Sequence, residues 1–242
     1  MNKIFEDLID NEHMVIYLDN ILLFHDSIPE LHDLTHDVLC HFKAHDLFLK
    51  PEKCSFNQLK IEYLGVLITE GRIHMDPVKV KAIMDWPVPK TLKQVQSFLS
   101  FCNFYRQFIK NYSHIVRPLT GLTKKDTPFY WNDPQKDAFA SLICAFTSAP
   151  VLALLDQSLP FCVITDASDY ALGAILEQPD ALNRWHPVTF YSKSMAPPEL
   201  NYNIHDRELL AIICALETYR HFLEGHPIPF EVWTDHSNLA YF

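Results

Sequence analysis

Phe161-Cys162-Val163-Ile164-Thr165-Asp166 and Phe230-Glu231-Val232-Trp233-Thr234-Asp235 are the two stretches that decide the fold of the last third of the chain. Each is an apolar, β-prone run that ends in Thr-Asp, which predicts two strands with a carboxylate at the end of each. Two more strands are predicted over 171–178 and 187–192, and a helix over about 206–222. The apolar stripe of that helix is expected to face the sheet and consists of Leu209, Ile212, Ile213 and Leu216.

Three acidic residues of this region, Asp166, Glu208 and Asp235, are expected to converge. Glu208 lies four residues before Ile212, so it projects along the flank of the buried stripe toward the sheet. Proteins tolerate carboxylates that repel one another where a divalent cation neutralises them. Because oxygen ligands without a His/Cys set favour Mg²⁺ or Mn²⁺ over zinc, this cluster indicates two-metal cleavage of a phosphodiester.

A structural role for the two aspartates is an equally good interpretation of their spacing. Asp166 precedes Ala-Ser and Asp235 precedes His-Ser, so each could cap a helix that follows it. An aspartate at that position accepts a backbone hydrogen bond that stabilises the helix by ~1 kcal/mol. Spacing alone leaves both interpretations open.

The first third of the chain predicts a β-hairpin followed by a helix. Apolar runs over 15–18 and 21–24 flank the dipeptide Asp19-Asn20, which is a two-residue turn signal. Helical spacing of apolar residues then predicts a helix over about 28–45. Short strands are expected over 47–49, 61–68 and 73–75.

The middle of the chain, over 76–148, is predicted to be helical. Asp76-Pro77 begins a helix that runs to residue 84, and Thr91 caps a second helix. Further helices are expected over about 113–123 and 133–147. The second helix carries a stripe that should be buried, namely Val95, Phe98, Leu99, Cys102 and Tyr105.

Composition excludes several classes of protein. The chain has five glycines among 242 residues and matches neither G-x-G-x-x-G nor G-x-x-x-x-G-K, which excludes dinucleotide sites and phosphate loops of those kinds. Its net charge of -10 is not the basic footprint usual for nucleic-acid binders. Six scattered cysteines indicate reduced thiols in an intracellular protein. No apolar run predicts a signal peptide or a membrane span.

Several segments resemble the reverse transcriptases of gypsy-class LTR retrotransposons. Thr165–Ser168, His205–Ala211 and Thr234–Leu239 resemble the family's ribonuclease H motifs. Tyr17-Leu18-Asp19-Asn20-Ile21-Leu22 resembles its Y-L-D-D polymerase box. Segments similar to the end of the palm and to the thumb occur in family order, so that the likeness covers essentially the whole chain: Leu49–Cys54, Tyr63–Gly65, Gln96–Leu99, Asn103–Arg106 and Phe108–Lys110.

The resemblance implies an α+β fold in three parts. These are a palm remnant with a β-hairpin over 1–75, a helical thumb and connection over 76–130, and a ribonuclease H-like mixed sheet with flanking helices over 131–242. The C-terminal part is expected to be truncated.

The resemblance also implies site residues and partners. Asp166, Glu208 and Asp235 would be three of four carboxylates that hold Mg²⁺ or Mn²⁺ and cut the RNA strand of an RNA–DNA hybrid. Asp19 would be a polymerase metal ligand, acting on an RNA template with a DNA primer. Flanking segments of the polyprotein are expected to be needed for a complete enzyme.

The sequence departs from the family pattern at three places. Asn20 stands where the box has a second aspartate, the chain begins just upstream of that box, and it stops at Phe242, before the fourth carboxylate. We therefore expect no DNA synthesis by this chain and feeble or absent hybrid cleavage. The alternative is a catalytically dead remnant that acts at most as a nucleic-acid-binding or protein-interaction module.

Four histidines and a cysteine in the first predicted helix offer a different metal site. The favoured interpretation is an ordinary solvated polar helix face, because no second cluster completes the ligand set of a metal site. The residues are His32, His36, Cys40, His41 and His45.

In the thumb-like segment, a group of polar and aromatic residues is either an exposed helix face or a contact for nucleic acid. That group comprises Asn103, Tyr105, Arg106, Gln107 and Lys110.

Overall fold

The computed structural model describes residues 3–9 and 13–235. The chain divides into two compact units, residues 1–63 and 64–242. The boundary between these units follows residue 63, inside the first of the three predicted parts, and the predicted boundaries at 75 and 130 stay predictions.

The first unit is a hairpin with helices packed on it. Its α-helices and strands are α1 (Glu6–Ile9), β1 (Met14–Tyr17), β2 (Asn20–Leu23), α2 (Ile28–Ala44) and β3 (Lys60–Tyr63), and a short 3-10 helix spans Pro51–Lys53. Its core consists of Phe5, Leu8, Met14, Val38 and Phe42. The predicted strand over 47–49 is wrong, because those residues are irregular and exposed or half-buried.

The hairpin turn lies one residue earlier than predicted. Tyr17 pairs with Asn20, so Leu18 and Asp19 form the two-residue turn and Asn20 begins β2. Leu18 takes a left-handed backbone conformation with φ of 55°. The pairing of Ile16 with Ile21 keeps the apolar side chains on one face, and that register fixes which two residues turn.

The second unit begins with a small antiparallel sheet and four helices. The sheet strands β4 (Val66–Thr69), β5 (Arg72–Met75) and β6 (Leu152–Ala153) are neighbours in that order. The helices are α3 (Pro77–Met84), α4 (Leu92–Phe104), α5 (Tyr112–Leu122) and α6 (Asp133–Thr147).

Side-chain caps begin α3 and α4 where the sequence predicts them. The Asp76 carboxylate accepts a hydrogen bond of 2.8 Å from the Val78 backbone N–H, and the Thr91 hydroxyl accepts one of 3.3 Å from Gln94. The predicted stripe of α4 is buried: Val95, Phe98, Leu99, Cys102 and Tyr105.

A second, mixed sheet completes this unit. Its strands are β7 (Cys162–Ala167), β8 (Ala171–Pro179), β9 (Trp185–Ser194) and β10 (Glu231–Thr234), and α7 (Ile204–Leu223) precedes β10. The strand order is β10-β7-β8-β9, with β10 parallel to β7 and the other neighbours antiparallel. The expected α+β architecture with a mixed sheet is confirmed.

The buried face of α7 differs from the predicted stripe. Leu209 and Ile213 are 37% and 45% exposed, and the buried residues are Glu208, Ala211, Cys214, Ala215, Tyr219 and Leu223. Small side chains let the helix lie close to the sheet, where the Tyr219 hydroxyl donates a hydrogen bond of 3.3 Å to the Ala174 carbonyl oxygen. Glu208 therefore lies on the buried face itself and not on its flank.

Among the helices of the described ranges, none has the length and apolar character that crossing a membrane requires.

Candidate active site

Asp166 and Asp235 occupy equivalent places on neighbouring parallel strands. Thr165 pairs with Thr234, and an aspartate follows each of them. Adjacent strands lie about 4.8 Å apart, so the two aspartates are close neighbours at the same end of the sheet. Both are exposed and so accessible to a substrate in solvent.

Glu208 is buried next to these strand ends. It lies in the second turn of α7, and its side chain packs toward Ala167 and Thr234. The residue is 3% exposed, and its Oε2 atom has no hydrogen-bond partner among the described residues.

Burial and charge both disfavour the ionised form of Glu208. Burial is the larger cause, and the negative charges of Asp235 and then Asp166 add to it, so that the pKa of this carboxyl rises to about 7. Hydrogen bonds from the Ala167 backbone and the Thr234 side chain offset part of this rise. The three carboxylates are therefore close enough to influence one another.

The donor set suits a hard divalent cation. The three predicted ligands all offer carboxylate oxygens, which Mg²⁺ and Mn²⁺ prefer, and Glu208 Oε2 is a buried acceptor without a partner among residues 3–9 and 13–235. Within residues 3–9 and 13–235, however, no three His, Cys, Asp or Glu side chains are arranged closely enough to hold a metal ion. The carboxylates adjoin one another without forming a closed ligand set.

Asp19, the fourth predicted ligand, lies in the first unit. It is exposed in the hairpin turn, directly before Asn20.

The histidines of α2 make ordinary polar contacts. His32 contacts Asn57 at 3.2 Å, His41 contacts Asp7 at 3.3 Å, and the Cys40 sulfur lies 3.8 Å from a ring nitrogen of His36. These contacts support the interpretation of this group as a solvated polar face.

Sequence reasoning missed residues that adjoin Asp166 from another element. Asn111, directly before α5, and His114, in its first turn, line a cavity of about 160 Å³ together with Asp166. A glycine opposite Asp166 on β8, Gly173, was the available signal, because a missing side chain marks a close approach.

Two family models match the chain. The model of reverse transcriptase (RNA-dependent DNA polymerase) matches residues 1–68, and the model of the RNase H-like domain found in reverse transcriptase matches residues 131–237. Together they cover more than two thirds of the sequence. The chain belongs to the reverse transcriptase family. Both matched domains are those of enzymes, so the alternative of a non-catalytic module is not favoured.

Relatives of this reverse transcriptase chain confirm the resemblance to gypsy-class LTR retrotransposons. The Tf2-7 transposon polyprotein of Schizosaccharomyces pombe is 36% identical over 231 residues, and the Tf2-3 polyprotein is 36% identical over 227. The alignments cover 96% and 94% of this chain but 17% of each polyprotein. The chain thus spans about a sixth of the length of these relatives.

Solved structures share the fold. A foamy viral protease-reverse transcriptase in complex with double-stranded DNA matches with a TM-score of 0.83 and 20% identity, over 100% of this chain and 42% of that one. A second, in complex with an RNA/DNA hybrid, matches with a TM-score of 0.80 and 20% identity, over 97% of this chain and 31% of that one.

Proposed function

We propose that the RNase H-like domain binds Mg²⁺ or Mn²⁺ through Asp166, Glu208 and Asp235 and hydrolyses the RNA strand of an RNA–DNA hybrid. The observation that carries this proposal is the buried Glu208 carboxylate, which has an unpartnered Oε2 among the described residues and lies beside two exposed aspartates. The foamy viral relative in complex with an RNA/DNA hybrid supports the choice of substrate.

The three carboxylates have different tasks in this proposal. Asp166 and Asp235 are exposed at the strand ends, where a phosphodiester can reach them. Glu208 lies on the packed face of α7, so the packing of this helix fixes the position of its carboxylate oxygens. A divalent cation bound here would activate the attacking water and stabilise the leaving oxygen.

The first unit is proposed to be part of a polymerase site. Asp19 would be its metal ligand, with an RNA template and a DNA primer as substrates and further polyprotein segments completing the site. The match of residues 1–68 to the polymerase family supports this assignment. The matched ranges also support the outer parts of the proposed division into palm (1–75), thumb and connection (76–130) and RNase H-like domain (131–242).

Hybrid cleavage by the full chain tests the ribonuclease proposal. A 5′-labelled RNA annealed to DNA is incubated with Mg²⁺, Mn²⁺ or EDTA, with wild type, Asp166→Asn, Glu208→Gln and the exposed control Glu217→Gln on the same helix. We expect slow, metal-dependent cleavage that Asp166→Asn and Glu208→Gln abolish and Glu217→Gln retains. Cleavage that persists in Asp166→Asn, or no metal-dependent cleavage at all, would overturn the proposal.

A further inference from the structure

One row of residues crosses three strands of the mixed sheet. Asp166 on β7 pairs with Gly173 on β8, and Gly173 pairs with Ser192 on β9. Directly opposed residues of neighbouring strands project from the same face of a sheet. Asp166 therefore lies on the same face of the sheet as Gly173, which has no side chain, and Ser192, which has a short hydroxyl side chain.

The start of α5 lies against this row. The Ser113 backbone N–H donates a hydrogen bond of 3.0 Å to Ser192 Oγ. Asn111 Oδ1 lies 3.0 Å from the place that a Cβ on residue 173 would occupy. Gly173 therefore leaves room for the Asn111 carboxamide beside Asp166.

A small cavity lies at this junction. Its lining residues include Asn111, His114, Asp166 and Ser168. Its volume of about 160 Å³ would hold about five water molecules at ~30 Å³ each. That is well below the ~300 Å³ at which pockets for drug-sized ligands begin, and it suits a single sugar or phosphate group.

Two polar side chains at the cavity are free to form hydrogen bonds with a ligand. The side chains of Asn111 and His114 make no hydrogen bond to any residue in the described parts of the chain, and both residues are exposed. Much of the hydrogen bonding between proteins and DNA goes to phosphate and sugar, and asparagine side chains are among the donors.

We propose that Asn111 and His114 form a subsite for the sugar–phosphate backbone of the nucleic-acid strand bound at Asp166. Both residues precede the range 131–237 matched by the RNase H-like family, so α5 would complete a site that this domain only partly supplies. The inference rests on the proposed ribonuclease function and adds substrate-contacting residues to it.

Hybrid binding without metal tests the subsite directly. The dissociation constant of a fluorescent RNA–DNA hybrid is measured by anisotropy in EDTA for the full chain and for Asn111→Ala, Gly173→Ala and the double variant. The matched control is Asn183→Ala, because Asn183 also has a left-handed backbone, with φ of 57° against 55° for Asn111, but lies in the β8–β9 turn outside the cavity. Melting temperatures of all variants are measured in parallel.

Asn111→Ala is expected to raise the dissociation constant about fivefold, as the loss of one hydrogen bond predicts. Gly173→Ala should have the same effect, because its methyl group displaces the Asn111 carboxamide, and the double variant should be no worse than either single one. Asn111→Ala and Asn183→Ala should lower the melting temperature equally, and Asn183→Ala should leave binding unchanged.

Two results would overturn the inference in distinguishable ways. If wild type binds the hybrid and Asn111→Ala binds it as tightly as Asn183→Ala does, the subsite is wrong while the ribonuclease proposal stands. If wild type binds no hybrid, both proposals fail. Should Gly173→Ala lower the melting temperature sharply, Asn111→Ala against Asn183→Ala still decides the question.

Discussion

Thr165 and Thr234 are directly paired in parallel register, and each is followed by an aspartate. The pairing brings Asp166 and Asp235 side by side, and the buried carboxyl of Glu208 is close enough to both that their negative charges raise its pKa. Carboxylates that repel one another destabilise the fold unless one of them binds a proton or a cation neutralises them. The stability of this unit should therefore depend on pH and on divalent metal.

Glu208 should make the chain less stable as the pH rises. Its pKa is 4.5 in the ordinary case and about 7 in the folded protein, so the folded state binds the proton more tightly than the unfolded state. The resulting stabilisation is fully present below pH 4.5 and is lost as the pH rises through 7, by about 3 kcal/mol at most. In Glu208→Gln this part of the pH dependence should disappear. Urea unfolding at pH 5 and pH 8 in EDTA measures it.

Glu217→Gln is the control for that comparison, because Glu217 is exposed on the same helix. It should unfold with the same pH dependence as wild type. Added Mg²⁺ should stabilise wild type at pH 8 and leave Glu208→Gln unchanged, since a ligand that binds the folded state raises its stability. Equal pH dependence in wild type and Glu208→Gln would contradict the placement of this carboxyl.

The sequence predicts those features that depend on local chemistry. Asp76 and Thr91 begin helices because their side chains accept backbone hydrogen bonds nearby, and such caps are visible in the chain itself. The two Thr-Asp strand ends are predicted from the apolar, β-prone runs that precede them, which are also a local signal. The parallel pairing of β7 with β10 is non-local, and only the resemblance to a known family anticipated a mixed sheet.

The size of the apolar side chains does not predict which face of α7 is buried. Ala211 and Ala215 are buried because they allow the helix to approach the sheet closely, while the larger Leu209 and Ile213 are partly exposed. The cavity at Asp166 was missed for a related reason. It depends on α5 meeting β8 and β9, elements separated by tens of residues, and no local pattern specifies that contact.

Enlarging Ala215 should cost more stability than shortening Ile213. Ala215 is 0% exposed against the sheet, so Ala215→Leu forces extra atoms into a packed interface and should destabilise by about 1–3 kcal/mol. Ile213→Ala removes a side chain that is 45% exposed and should cost less than about 1 kcal/mol. Urea unfolding of the two variants ranks them. If Ile213→Ala were the more destabilising variant, Ile213 would belong to the buried face, as the stripe predicted from the sequence required.

The Asn203 side chain should stabilise the helix that carries Glu208. Its Oδ1 accepts a hydrogen bond of 2.9 Å from the Asp206 backbone N–H at the start of α7. Asn203→Ala should therefore lower the free energy of unfolding by about 1 kcal/mol. The control is Asn201→Ala, an exposed asparagine two residues earlier that caps no helix. Thermal unfolding compares them, and equal melting temperatures would exclude a capping role.

Asn20 should prevent the first unit from supporting DNA synthesis. Asp19 lies in the hairpin turn, and the residue after it is a neutral amide where the resembled family has a second carboxylate. Loss of that charge weakens the attraction for cations that a polymerase site needs. Primer extension on an RNA template with Mg²⁺ or Mn²⁺ should give no product.

Mn²⁺ binding to Asn20→Asp measures the effect of the missing charge. In a Glu208→Gln background, which weakens the other proposed metal site, Asn20→Asp should tighten Mn²⁺ binding several-fold, as followed by water proton relaxation. The added carboxylate lies next to Asp19 at the exposed hairpin turn, where a cation can reach both. Asp33→Asn, on the exposed surface of α2, should leave Mn²⁺ binding unchanged. Extended primer from the unaltered chain would show that Asp19 suffices without a second carboxylate at position 20.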